Sequence, residues 1–288
     1  ICASDDYTSY ITKVIIPESV TEIGSCAFYE CGKITSMNLP NTITSVGNSA
    51  FQNCTALKTV TMNYNSTVEY TARIGDGAFS GCTSLTGMEF SENVTSIGDR
   101  AFSGCTALSS LTLPESLKSM GYYVIESTAI SSITIPKNVS YSDETSYNGA
   151  LANCKSLTEV VFEDGITKIP AYICASDDYT SYITKVIIPE SVTEIGSNAF
   201  YKCNNMTIYG YKNSYAESYA ITESIPFVSV AIAKNASAED VLKKMSLNTL
   251  VNNISFAGTD ISGPTVTIAG KTFSLFSVPA SMDIKLGD

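Results

Sequence analysis

The sequence predicts an α/β repeat solenoid rich in β-strand, and three observations carry that prediction. Residues 1–25 (ICASDDYTSYITKVIIPESVTEIGS) recur letter for letter at 173–197. Inside this duplication runs a shorter unit, Ile/Val-Gly-x-x-Ala-Phe-x-x-Cys-x-x-Leu/Ile, followed by two alternating apolar residues and often a proline, as in residues 97–114 (IGDRAFSGCTALSSLTLP). The composition, 44% hydrophobic and only 16% charged, belongs to a chain that folds.

Aligned on the Ala of Ala-Phe, the units fall at Ile1, Ala27, Ala50, Ala78, Ala101, Val124, Ala150, Ile173 and Ala199, with spacings of 23–28 residues. So short a unit cannot bury its apolar side alone, and stacking has to build the core. Each unit opens on a strand. Ile11–Ile16, Leu108–Leu113 and Ile130–Ile135 place apolar residues at relative positions 0, +3 and +5. The last two of these alternate, so the intervening Ser and Thr face outward. Pro17, Pro114 and Pro136 then end the ladder, because proline has no N–H to give. A second apolar pair and a glycine follow, as in Val20 to Gly24, which suits a tight bend on the opposite side. Ala-Phe turns inward. Phe28, Phe51, Phe79, Phe102 and Phe200 are expected to stack as a spine, with Cys2, Ile125, Leu151 and Cys174 substituting in the other units.

The array closes at about 206–230. Ser214-x-x-Glu217 is a capping box, so a short helix is expected to start near Tyr215 and shield the last core layer. The solenoid is therefore assigned to residues 1–230. Residues 231–288 lose the repeat: Ser237–Asp240 reads as a helix start, and Thr265–Leu275 alternates around Ala269-Gly270 like a hairpin. This small α+β segment is marginal as an independent fold. It reads either as packed on the array or as the start of a larger domain.

The repeated motif resembles the BspA-like, Treponema-type leucine-rich repeats of bacterial surface proteins, over about residues 1–230 and nine successive units. Met206–Ala220 followed by Ile225–Val228 is similar to the terminal segment of such arrays. The resemblance implies a leucine-rich repeat array of period 23–28 with a C-terminal cap. It further implies a non-catalytic, adhesin-like interaction module, secreted or held at a bacterial cell surface, whose partner is an extracellular protein or glycan.

The residues themselves narrow the chemistry. The net charge is −11, and the last 58 residues carry five lysines against five acids, so the whole excess lies on the repeats. Such a surface repels phosphate backbones and anionic lipid, which argues against nucleic acid and membrane partners. No apolar run reaches the roughly 20 residues of a membrane helix. Histidine is absent, removing the commonest general base and neutral metal ligand together. Six of the nine cysteines (Cys31, Cys54, Cys82, Cys105, Cys154 and Cys203) share one repeat position. Side chains in one column point alike, so all nine are expected to stay reduced and structural. Asp5-Asp6, Glu163-Asp164 and Asp177-Asp178 lack the alternating oxygens and glycine of a calcium loop. No phosphate loop, nucleophile elbow or dinucleotide fingerprint occurs, and neither a metal nor a cofactor is expected.

What remains is surface. In such a solenoid the strands line one concave sheet, whose outward positions here are mostly Ser and Thr, among them Thr35, Thr59, Thr86, Thr134, Thr158 and Thr184. Insertions beside it bring tyrosines, and Tyr64, Tyr70, Tyr141, Tyr147, Tyr179 and Tyr182 are the candidate ligand-binding residues. Tyrosine gives large contact area at low entropic cost, and insertions that keep the core period tend to lie on a binding side. Two other readings stand beside this one: a rigid spacer presenting another domain, or the non-catalytic part of a larger surface enzyme. A monomer is expected, with edge pairing through the exposed N-terminal turn as the alternative.

Overall fold

The computed structural model describes residues 10–63, 71–140, 149–175 and 181–230, with three strands farther along the chain. Two compact units are present, Ile1–Val228 and Ser229–Asp288. In the first, successive turns place strands alternately on two faces. One face carries β1 (Glu22–Ile23), β3 (Ser45–Val46), β5 (Ala72–Ile74), β7 (Val94–Ile97) and β8 (Ser119–Met120), continued by β11 (Lys168–Ile169) and β13 (Glu194–Ile195). The other, the strand face proper, carries β2 (Ser36–Leu39), β4 (Thr59–Met62) and β6 (Gly87–Glu89). It resumes with β9 (Ser132–Ile135), β10 (Glu159–Phe162), β12 (Lys185–Ile187), β14 (Thr207–Gly210) and β15 (Phe227–Ser229).

Pairing between turns is parallel and keeps the repeat in register: Val160 faces Ile133 on one side and Val186 on the other, and Val186 faces Ile208. The insertion at 64–70 does not break the β3–β5 ladder. Val46 still pairs with Ile74 across a 28-residue unit, so the extra residues are absorbed between strands. Inward residues such as Val60, Ile133, Val160 and Val186 are buried, and their outward neighbours Thr59, Ser132 and Thr134 are exposed. The alternation read from the sequence is the alternation of burial.

The phenylalanine spine forms. Phe28, Phe51, Phe79 and Phe102 stack near-parallel at centroid separations of 5.1, 5.2 and 5.4 Å, close to the strand spacing that sets the rise per turn. Ile125, Leu151 and Cys174 continue the column as buried substitutes, and Phe200 ends it against Tyr219 of the cap, ring edge to face at 6.0 Å.

The glycine of Ile-Gly has a different role from the expected bend. Gly47 and Gly75 do not have positive φ; instead a Cβ on Gly75 would sit 2.5 Å from Asn48 Oδ1 and 2.7 Å from Asn48 N. Close approach of the preceding turn is what excludes a side chain there. The left-handed residues lie elsewhere, two per turn, just before Ala and just before Cys: Ser49 and Asn53, Gly77 and Gly81, Arg100 and Gly104, Asn198 and Lys202. These are the corners.

Two expected strands do not form. Ile11–Ile16 has a neighbour on one side only among the described residues, and Leu108–Leu113 pairs with neither β6 nor β9. Leu111 and Leu113 are nonetheless buried and Ser110 and Thr112 exposed. Alternation fixes which side chains turn inward, but it does not by itself close a ladder.

The cap helix α1 (Tyr215–Thr222) starts where the capping box places it. Ser214 is the N-cap, and its Oγ accepts from Glu217 N–H at 3.3 Å. Glu217 reaches back to Asn213 N–H at 2.6 Å, one residue before the cap. Ala216 and Ala220 are fully buried beneath the helix. In the second unit β16 (Ser255–Phe256), β17 (Thr265–Ile268) and β18 (Lys271–Ser274) form an antiparallel sheet, with Ile268 opposite Lys271 at the hairpin end. The helix start read at Ser237–Asp240 lies outside the described residues.

Candidate functional site

The strand face is built so that its hydroxyls serve the ladder first. Thr86 Oγ1 donates to Lys58 O at 3.2 Å, Thr158 Oγ1 to Ser131 O at 3.2 Å and Thr184 Oγ1 to Thr158 O at 3.3 Å. Each donor proton is spent on the preceding turn, and the oxygen lone pairs remain outward. These three threonines therefore turn acceptors outward. Its charges are few: Lys185 pairs with Glu159 at 3.1 Å and lies 5.5 Å from the Tyr209 ring centroid, a partly exposed pair worth under about 1 kcal/mol.

Of the tyrosines proposed to bind ligand, Tyr182 is described, and it is exposed beside the strand face. Tyr64, Tyr70, Tyr141, Tyr147 and Tyr179 lie outside the described residues. The structure therefore does not show these six brought together.

The cysteine column is buried as expected and has a further function in the backbone. Cys54, Cys82, Cys105, Cys154 and Cys203 donate through Sγ to the carbonyls of Phe28, Phe51, Phe79, Ile125 and Cys174, each in the preceding turn, at 3.1–3.4 Å. Burial pushes the Cys203 thiol up to about 11 and the Cys105 thiol up to about 12, so both stay protonated donors. One expectation fails: Cys31 is disulfide-bonded. The other five members of its column are free thiols. Parallel geometry disfavours bridging within a column, but it says nothing of a cysteine at another repeat position.

A second ladder runs along the bends. Asn48 Oδ1 accepts from Asp76 N–H at 3.0 Å, Asp76 Oδ1 from Asp99 N–H at 2.9 Å and Asp99 Oδ1 from Tyr122 N–H at 2.8 Å. These acids are structural. Among the described residues no three His, Cys, Asp or Glu side chains are grouped to hold a metal ion, and no helix is long and apolar enough to cross a membrane.

The described residues include two concavities. A small crevice of about 230 Å³ opens where the sheet is interrupted, between Met88, Phe90 and Leu113. A larger cavity of about 710 Å³ lies at the end of the array, between the last turn and α1, with Asn198, Tyr201, Tyr215 and Tyr219 among its walls. Sequence reasoning missed this second one. Its signal is the last Ala-Phe unit, at Ala199, followed by a capping box and not by another Ile-Gly.

Parallel strands on two faces, one buried aromatic column and a period of 23–28 residues define a β-rich leucine-rich-repeat solenoid. The chain belongs to the BspA type leucine rich repeat family, whose pattern it matches in six copies over residues 6–72, 72–207 and 177–274. No curated protein matches it in sequence. Among solved structures it is similar to a leucine-rich repeat protein of T. pallidum, at 18% identity over 66% of this chain and 82% of that one, TM-score 0.41. A leucine-rich repeat protein from Bacteroides ovatus is 19% identical over 75% and 77% of the two chains, TM-score 0.39. A leucine rich cell surface protein from Faecalibacterium prausnitzii is 25% identical over 67% and 65%, TM-score 0.34.

Proposed function

We propose that the chain is a non-catalytic, adhesin-like interaction module of a bacterial surface or secreted protein, which binds an extracellular protein or glycan. The observation that carries this reading is the strand face: rows of exposed Ser and Thr in fixed register, each row backed by a buried apolar row. Such a face presents a preordered array of hydroxyls over many turns at little entropic cost on binding. Tyr182, and the tyrosines of the insertions at 64–70 and 141–147, supply adaptable aromatic contacts at its margin. Membership of the BspA type family supports an extracellular location.

The test is binding of the purified chain to an array of extracellular-matrix proteins and glycans, beside a variant with Tyr64, Tyr70, Tyr141 and Tyr147 changed to Ser. Saturable binding by the native chain, lost in the variant, is expected. Binding to nothing would favour the second reading, a rigid spacer, which the verbatim duplication of residues 1–25 also suits because it lengthens the array without altering it.

A further inference from the structure

The corners of the array follow one hydrogen-bonding rule, and the last turn breaks it. The N–H of the residue before Ala and the N–H of the residue after it donate to carbonyls of the following turn: Ser49 N to Asp76 O and Phe51 N to Ala78 O, both at 2.7 Å, then Gly77 N to Asp99 O and Phe79 N to Ala101 O. The glycine of the following turn returns a bond, as Gly98 N does to Ile74 O at 2.8 Å. The final instance has Gly196 N on Ile169 O, with Tyr172 N on Ser197 O and Cys174 N on Ala199 O. A four-residue segment, Gly196–Ala199, thus docks on the turn before it through one N–H and two carbonyls.

The turn at Ala199 repeats this template, and no described segment is docked on it. The N–H groups of Asn198 and Phe200 donate to no acceptor among the described residues, and no following glycine donates to Ile195 O. Asn198 has φ 55°, so the corner is already in its left-handed, receiving conformation. Ile195, Asn198 and Phe200 all line the cavity of about 710 Å³. Asn198 is exposed, so water meets these donors in the free chain, and a preformed corner of this kind can take carbonyl oxygens in its place.

The cap helix determines what fits. Tyr219 of α1 stands on Phe200 where the next phenylalanine of the spine would come, so a full further turn is blocked. The corner half stays open, overhung by Tyr215, Ser218 and Thr222 along one side of the helix, and Tyr201 and Tyr215 are each more than 40% exposed. Volume in this range accommodates a short ligand segment and not a domain.

We infer that the C-terminal end of the array is a peptide-binding site. It receives an extended partner segment of about four residues that repeats the corner register. The template sets its sequence. The first residue is glycine, because a Cβ on Gly196 would fall 2.7 Å from Ala171 Cα, and the third takes positive φ, which Gly and Asn adopt at least cost although Ser49 and Arg100 hold it within the array. The fourth is apolar, as Ala199, Val124 and Ile173 are at this position. Tyrosine faces cover the bound segment, and the site is distinct from the strand face, so its failure would leave the proposed function untouched.

The test uses the full chain and a synthetic peptide, acetyl-Thr-Glu-Ile-Gly-Ser-Asn-Ala-amide, which copies residues 193–199. The control peptide replaces its Gly and Asn by Val. Amide hydrogen exchange is read at Asn198 and Phe200. In the free chain both amides are expected to exchange fast while Tyr172 and Cys174 are protected. Saturating peptide should slow Asn198 and Phe200 by at least about tenfold, and the control peptide should not. Thr222→Trp and Ser218→Trp, both exposed on α1, should abolish the protection without changing the exchange of Tyr172. The inference is overturned if the peptide leaves both amides fast, or if they are already slow in the free chain. Protection that rises with protein concentration alone would assign the end to a second copy, and overturns it as well.

Discussion

Replacing Gly75 by Ala probes the contact on which the stacking rests. The added methyl would lie 2.5 Å from Asn48 Oδ1, 2.7 Å from Asn48 N and 2.7 Å from Gly47 C. Two of these neighbours are backbone atoms of the turn below, held by parallel pairing of Val46 with Ile74, and they cannot swing aside as a side-chain end would. Overpacking of this kind costs about 1–3 kcal/mol. The displaced Asn48 side chain also gives up its bond to Asp76 N–H, about 1 kcal/mol more. The total is about 2–4 kcal/mol, or roughly 4–8 °C in Tm for an array of this size. Gly24 is the internal control: it occupies the same motif position, and among the described residues its Cβ would meet nothing within 4 Å. Thermal unfolding followed by circular dichroism should show Gly75→Ala melting well below native while Gly24→Ala stays within a degree or two. Equal melting of the two variants would refute close approach as the reason for the motif's glycine.

Three further predictions follow from the same geometry. Thiol titration of the denatured, unreduced protein should return seven of the nine cysteines, and native protein should react quickly at Cys26 alone, because Cys54, Cys82, Cys105, Cys154, Cys174 and Cys203 are buried; nine thiols on denaturation would remove the disulfide at Cys31. Burial raises Cys203 to about 11 from 9.0 and Tyr219 to about 12 from 10.0, both neutral below those values. The unfolded chain therefore loses these protons first, and stability that is full below pH 9 should fall by about 1.4 kcal/mol per unit for each such group as pH rises toward 11–12. Urea midpoints at pH 8 and pH 10.5 measure the fall, and equal midpoints would contradict it. At the corners, Gly104→Ala puts a Cβ at φ 75° and should destabilise by about 1–2 kcal/mol, whereas Arg100→Gly, which relieves φ 53°, should be neutral or mildly stabilising in the same melts.

The sequence made the repeat, the inward phenylalanines and the start of α1 legible, because each is written in spacing: Phe28 to Phe51 is one period, and Ser214 to Glu217 is a capping box. What it hid is what spacing does not encode. Gly47 and Gly75 read as bend residues because glycine is associated with positive φ, yet their constraint comes from atoms of the previous turn. The true left-handed corners include Glu30, Arg100 and Lys202, residue types that give no signal of that conformation. Leu111 and Leu113 kept their alternation while their ladder stayed open. The end site escaped notice because its donors are backbone groups of Asn198 and Phe200, which no side-chain pattern marks.

The central claim is that the strand face, and not only the tyrosine insertions, forms an interaction surface. The most direct measurement compares ligand binding by the native chain with a variant carrying Thr59→Lys, Ser132→Lys and Thr134→Lys, all exposed on β4 and β9 and away from the core. On the array of matrix proteins and glycans, the account predicts an unchanged melting temperature and loss of saturable binding in the lysine variant. Binding that survives these three substitutions undiminished would contradict it.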